Sequence, residues 1–311
     1  MQTTSAKSTL FADTASASQR RRWVRSDMAI AVLVLTPSIL AVAIFIYSFI
    51  VWSFYISGTR WNSAVLDLSW IGLDNWARLL SDDRFRTDVR NLVLYAAGFM
   101  TQCIVLGFLL AVLIDQKIKG EALFRTIFIF PFAVSGIVTG VVWRWLMRPE
   151  AGINLLFQSV GLDFLKSPWY TDPNWGIVAV SVAGAWQFSG YVMALYLAGL
   201  RGISNDIREA AAIDGCSTLT LYRQVIIPLL APVTFTALVL TGMGAIRVFD
   251  IPAVIGTGAA FGTDAMSNYM FSLTFQSQKY SLGATIACVM MLISAILVVP
   301  YLRSMGREAE Q

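Results

Sequence analysis

One apolar run, GAWQFSGY at 184–191, gathers the side chains with the richest binding chemistry in the chain. Trp186 and Tyr191 offer aromatic faces, Gln187 an amide and Ser189 a hydroxyl. Sugars are bound by that combination, with amide and hydroxyl partners for their hydroxyls and aromatic faces for the apolar side of the ring. The same residues serve equally well as interhelical hydrogen-bond partners, with Gly184 and Gly190 letting two helices approach closely. A glutamine at membrane depth must find partners either way, so part of this face points into protein. Helical spacing sets Trp186 and Gln187 about 100° apart. Gln187 and Tyr191, one turn apart, are expected to share a face, with Trp186 at its edge.

A later run, GMGAIRVFD at 242–250, ends in Arg247 and Asp250. Three residues apart, they fall on one helix face and can pair. Arg247 lies roughly 20 residues beyond Pro228, near the expected edge of the bilayer core, where such a pair could simply anchor the helix end. Neither group completes a catalytic set. With no His and three Cys (Cys103, Cys216, Cys288), neither a zinc site nor a disulfide framework is expected. No GxxxxGK(S/T) phosphate loop or convergent carboxylates occur, so the chain is expected to be neither an enzyme nor an ATPase. Moving a solute would then draw on a separate ATPase or an ion gradient. A gradient carrier needs ionisable groups at membrane depth, and the first four apolar runs have none near their centres.

The elements that position these residues are membrane helices. Hydrophobic residues make up 57% of the 311 and charged residues 14%, with mean hydropathy +0.65; ordinary soluble domains are about 25% charged. A net charge of +4 is too small to imply a nucleic-acid partner. An all-α membrane protein with six transmembrane helices is predicted, at about 29–55, 91–114, 124–146, 174–200, 226–250 and 280–302, from runs near the roughly 20 residues that cross a bilayer. Arg20, Arg21, Arg22 and Arg25 precede a first run too long for a signal-peptide core. They place the 1–27 tail in the cytoplasm, and six spans return the 304–311 tail to the same side. The 201–227 loop is then inside, and 60–90, 148–172 and 257–279 are outside. The Lys/Arg bias supports this only modestly, because the first outer loop holds five arginines beside Asp67, Asp74, Asp82, Asp83 and Asp88. That loop, with Trp61, Trp70, Ile71, Leu73, Trp76 and Leu79, is expected to fold as a cap or interfacial helix. The second outer loop, with Pro168, Trp169 and Tyr170, is a candidate contact surface for a soluble partner.

The inner loop carries EAAAIDG at 209–215. Ser204 or Asp206 can cap a short helix there, with Glu209 in the first turn and alanines favouring the helix. Gly215 suits the left-handed position just past its end. A second short amphipathic run, Leu219 to Ile227, leads to Pro228, which suits the first turn of the next helix. On helix signals alone this is a capped connector between two spans.

The longer string EAAAIDGCSTLTLYRQVIIPLLAP resembles the EAA loop of ABC-importer permeases. Glu209, Ala210, Ala211, Asp214, Gly215, Tyr222, Ile227, Pro228 and Pro232 lie on the pattern, with Cys216 where the family usually has Ala. The resemblance implies that Glu209, Ala210, Ala211, Asp214 and Gly215 form a coupling helix that docks into a groove of an ATPase subunit. An orientation that strands this loop outside is therefore rejected. From about 32 to 302 the chain is similar to the sugar-permease branch, which includes the maltose permease. DQKIKGEALFRTIFIFPFAVSGIVTGVVWRWLMRPEAGINLL and WQFSGYVMALYLAGLRGI look closest to glucose- and mannose-type permeases.

The family implies a second permease subunit, two ATPase subunits that bind ATP and Mg, an extracytoplasmic sugar-binding protein and a lipid environment. No cofactor is then held by this chain. In the maltose permease, sugar contacts lie on helices matching the fourth and fifth spans. Tyr191 agrees in type, but Ala245, Arg247 and Val248 occupy the region of the maltose-type asparagines. A monosaccharide such as glucose or mannose is therefore expected, with a disaccharide, oligosaccharide or glycerol-phosphate-type solute as the alternative. The substrate-path candidates are Trp186, Gln187, Ser189, Tyr191, Arg247 and Asp250.

Overall fold

A computed structural model describes residues 32–116, 118–256 and 258–309; the expected 1–27 tail with its arginines lies outside them. Among the described residues the regular elements are helices, with one isolated antiparallel bridge between Thr59 and Trp70. The chain is an all-α membrane protein. Five helices are long and apolar enough to span a bilayer, or six when one bent pair counts as a single span.

The chain divides into two units, one ending at Tyr55 and the other starting at Ile56. The first contains nearly all of α1 (Val32–Ser57), a 26-residue helix. It has no charged residue to interrupt its apolar surface.

The second unit opens with a loop and a short helix, α2 (Asp74–Ser81). α3 (Asp83–Asp115) follows, starting well before the span expected from 91. Asp82 starts it, its Oδ1 accepting from the Phe85 N–H at 2.9 Å, and Asp83 adds favourable negative charge to the first turn. With 33 residues, α3 is about 50 Å long.

The third span is not the continuous helix expected over 124–146. α4 (Glu121–Ile129) runs into a 3-10 turn (Phe130–Ala133), and α5 (Gly136–Leu146) leaves at 98°. Pro131 explains the break: it has no N–H to donate, and its ring opposes the preceding helical turn. Val134 then turns extended, with ψ 139°.

Beyond it come α6 (Ile153–Ser159), α7 (Gly176–Gly202), α8 (Asn205–Ile213) and α9 (Thr218–Leu221). A π-helical turn (Tyr222–Ile226) and α10 (Ile227–Leu229) lead to α11 (Ala231–Ile246), α12 (Asp250–Ile255) and α13 (Met266–Phe271). α14 (Tyr280–Ala309) carries helix through most of the expected 304–311 tail; residues 310–311 lie outside the description.

α3 and α7 form the centre of this unit. A Cβ added at Gly107 of α3 would lie 2.7 Å from Val192, and one at Gly184 of α7 would stand against the Tyr95 hydroxyl. Glycine is what lets the two backbones come this close. Tyr95, Phe99, Cys103, Val192, Met193 and Tyr196 are buried along the seam.

The first outer loop folds into a cap. Asn75 of α2 is fully buried, its amide donating to the Ser57 and Thr59 carbonyls at 2.9 and 2.7 Å while its oxygen accepts from Asn62. The loop then covers the first turn of α14. The Thr59 and Ser281 hydroxyls are 2.9 Å apart, the Trp61 carbonyl accepts from the Ser281 N–H, and Asn62 Oδ1 accepts from the Leu282 N–H.

Beside the cap, Arg84 pairs with buried Asp264 at 2.5 Å and lies 4.3 Å over the Tyr269 ring. Asp88, which reads as a loop charge in the sequence, sits inside α3, fully buried, with neither carboxylate oxygen hydrogen-bonded.

Candidate functional site

The polar residues of α7 separate onto two faces. Gln187 meets the broken span: its Nε2 donates to the Val134 carbonyl at 2.5 Å. That carbonyl has left the helical ladder at the break, so Gln187 satisfies a group that Pro131 and the bend set free. Tyr191, one turn on, stacks on Phe132 of the 3-10 turn, with centroids 4.9 Å apart and 20° between planes. Phe188 bridges Tyr191 (5.3 Å), Phe132 (5.3 Å) and Phe99 (5.7 Å). An aromatic group thus forms around the bend. Of the two roles left open for Gln187, interhelical bonding is the one this geometry displays.

Trp186 and Ser189 line a different feature, a cleft of about 590 Å³ shared with Gln102, Phe128, Pro131 and Trp143. Trp186 is 40% exposed and meets Trp143 edge-on at 6.1 Å. Gln102, which the sequence reading did not single out, donates to the Ser181 hydroxyl at 2.9 Å and to the Gly98 carbonyl at 3.0 Å. Gly190 fixes the geometry of both faces. A Cβ there would stand against the Phe128 carbonyl of α4, so α4 lies directly on the α7 backbone.

Arg247 and Asp250 do not pair. α11 ends at Ile246, Phe249 has φ −131° and ψ −59°, and Asp250 opens α12, so the shared helix face assumed by their spacing does not exist. Arg247 is exposed, its Nε reaching the Met243 carbonyl at 3.4 Å. Asp250 packs on Gly136 instead; a Cβ at Gly136 would lie 2.8 Å from its Oδ2. The carboxylate therefore stands at the start of α5, where the helix dipole favours negative charge.

The EAAAIDG segment forms α8 and its exit. Gly215 has φ +71°, and the Cys216 N–H donates to the Ala211 carbonyl at 2.9 Å, the long bond that closes a helix through a left-handed residue. At the other end the Ser204 hydroxyl accepts from the Asp206 N–H at 3.2 Å. Glu209, Ala210, Asp214 and Gly215 are exposed, and Ala211 is half-buried. Ile213 is 87% exposed and Leu219 79%, an apolar surface next to a glycine whose Cβ position is empty. An ion pair holds the far side of this segment, Arg208 with Asp115 at 2.8 Å, and a second one nearby ties α7 to α4, Arg201 with Glu121 at 2.5 Å. No sequence spacing links these partners, which lie 93 and 80 residues apart.

The described fold is that of a membrane protein with a broken span beside a glycine-packed helix pair and a capped helix offered to one side, and the comparisons give its class. Residues 103–305 match the family described as binding-protein-dependent transport system inner membrane component. A probable ABC transporter permease protein of Pyrococcus horikoshii is 38% identical over 278 residues, covering 89% of this chain and 95% of that one. The xylose/arabinose import permease protein of Haloferax volcanii is 34% identical over 239 residues, covering 76% and 75% of the two chains. The trehalose/maltose transport system permease protein of Thermococcus litoralis is 28% identical over 273 residues, covering 87% and 92%. The crystal structure of a bacterial ABC transporter that imports alginate shares the fold, with TM-score 0.75 and 19% identity over 94% of this chain and all of the other. The chain belongs to the binding-protein-dependent transport system inner membrane components and is a permease subunit of an ABC importer.

Gln187→Leu is expected to act on assembly. Removing the donor leaves the Val134 carbonyl without a partner, at about 1–3 kcal/mol. The yield and melting temperature of the detergent-purified complex should fall, and uptake of two competing sugars should fall in parallel. A changed preference between the sugars at normal yield would return Gln187 to the substrate path.

Proposed function

We propose that this chain carries a sugar inward as one of two permease subunits, energised by two separate ATPase subunits that bind ATP and Mg and supplied by an extracytoplasmic sugar-binding protein. The observation that carries the reading is α8: a largely exposed helix with three consecutive alanines, ending in exposed Ile213, closed by a left-handed glycine and followed by exposed Leu219. Such a surface suits a groove on a soluble subunit; on this reading the α8 end and both termini face the cytoplasm. A second solved alginate importer, in complex with an alginate pentasaccharide-bound periplasmic protein, supports a binding protein as the delivery partner (TM-score 0.73, 19% identity). The face for it lies opposite α8, where Asn154 of α6 folds the second outer loop by accepting from Trp169 Nε1 at 2.8 Å and Phe164 stands exposed.

For the sugar itself, the relatives' names run from xylose/arabinose through lactose to trehalose/maltose, so they do not favour glucose or mannose. A monosaccharide rests on this chain's own residues: Ala245 is buried, and Arg247 and Val248 bring no amide. On this reading Tyr191, Phe188 and Phe132 present ring faces to the sugar as it passes the bend. Uptake by the reconstituted complex should require ATP on the α8 side, measured with radiolabelled sugars and the binding protein. Uptake by this chain alone on a sodium or proton gradient overturns the proposal.

A further inference from the structure

α8 follows α7 through residues 203–204 alone, with Ile203 extended at ψ 125°. Held only by that link and by residues 214–217 on its other side, a nine-residue helix would swivel when pushed. Arg208 prevents it. Its Nη2 donates to Asp115 Oδ2 at 2.8 Å and to the Leu200 carbonyl at 3.1 Å, the first at the end of α3 and the second in the last turn of α7.

Exposed ion pairs are commonly worth little, but this one is sheltered: Asp115 is 9% exposed, Arg208 is 29% exposed, and Arg208 Nε is enclosed. Tyr222 of the π-helical turn lies within the pair's field; burial raises its hydroxyl above the ordinary range, with Arg208 opposing that shift and Asp115 adding to it. Asp115 also ends α3, the place where a helix dipole disfavours a carboxylate, so a facing cation is what stabilises it there. The seam between α3 and α7 has no slack at Gly107 or Gly184. The nearby Arg201–Glu121 pair adds α4, the first half of the broken span, to the same end.

We propose that Arg208 is the positioning residue that passes displacement of α8 into the α3–α7 pair, gripping both helix ends at once. The proposal rests on α8 being the coupling helix. Without Arg208, α8 moves on its two short chain links and ATP hydrolysis no longer drives the membrane helices.

Two measurements test this on Arg208→Gln, Asp115→Asn and the exchanged pair Asp115→Arg/Arg208→Asp. In the complete importer in proteoliposomes, sugar taken up per ATP hydrolysed should fall at least fivefold in each single variant while the ATPase subunits stay bound. The exchanged pair should recover at least half of the wild-type ratio. In the permease pair without ATPase, hydrogen–deuterium exchange at 205–216 should rise at least threefold in the single variants and fall again in the exchanged pair. A wild-type ratio in Asp115→Asn, or an exchanged pair no better than Arg208→Gln, overturns the proposal. Unchanged exchange in both single variants also overturns it, whatever the ATPase does. Failure of the ATPase to bind through 205–216 defeats the coupling reading separately, and the exchange measurement still decides whether Arg208 holds α8.

Discussion

Gly190→Ala should leave little folded protein. The added Cβ would meet the Phe128 carbonyl oxygen well inside contact distance, its carbon at 2.6 Å and the Ile129 Cα at 3.0 Å. All three are backbone atoms of α4, so no side chain can turn aside. α4 must withdraw from α7, which pulls the Val134 carbonyl from Gln187 and Phe132 from Tyr191. Overpacking commonly costs about 1–3 kcal/mol, and a backbone clash belongs at or above the top of that range. Gly202→Ala is the control, because a Cβ there meets nothing within 4 Å. Melting of the detergent-purified chains, followed by tryptophan fluorescence, compares them directly. Equal melting temperatures would mean that α4 and α7 do not touch at this point.

Gly215→Asp should do the opposite: keep the fold and abolish transport. With φ +71° an added side chain costs about 1 kcal/mol of backbone strain, and open space around the position removes any clash. Membrane insertion and yield should stay near wild type. The new carboxylate stands beside Asp214 on the exposed surface offered to the ATPase, so uptake should fall at least tenfold while ATP continues to be hydrolysed. Gly215→Asn tolerates the same backbone without the charge and should retain more uptake than Gly215→Asp. Normal uptake by Gly215→Asp would reduce the segment to a connector.

What could be read from the sequence was local. The left-handed Gly215 follows from a glycine just past a run of helix formers, and the apolar runs mark their helices because lipid leaves the backbone few alternatives. The bend in the third span was hidden for a related reason. Hydropathy measures apolar length and is blind to direction, so FIFPFAVSG reads as unbroken span although Pro131 is present. Gln187 was legible as needing a partner, but that partner is a main-chain carbonyl 53 residues away, released only by the bend. The Arg247–Asp250 pairing assumed a continuous helix, but α11 ends at Ile246 and a new helix opens at Asp250. Asp88 looked like a loop charge because charge near a span usually is. Its burial follows from the packing of the folded chain, in which Arg84, one helical turn before it, pairs with Asp264 across 180 residues.

The cap over α14 has a consequence for synthesis. Thr59 and Ser281 are 222 residues apart, yet they touch, and Trp61 and Asn62 bond the same helical turn. At roughly 5–20 residues per second of translation, the loop waits on the order of 10–45 s for the residues it covers. Through that interval Trp61 and Asn62 lack their α14 partners while the intervening helices enter the membrane. The first loop made is therefore among the last to close, and a nascent chain arrested before α14 should remain open to protease there after the helix before it has inserted.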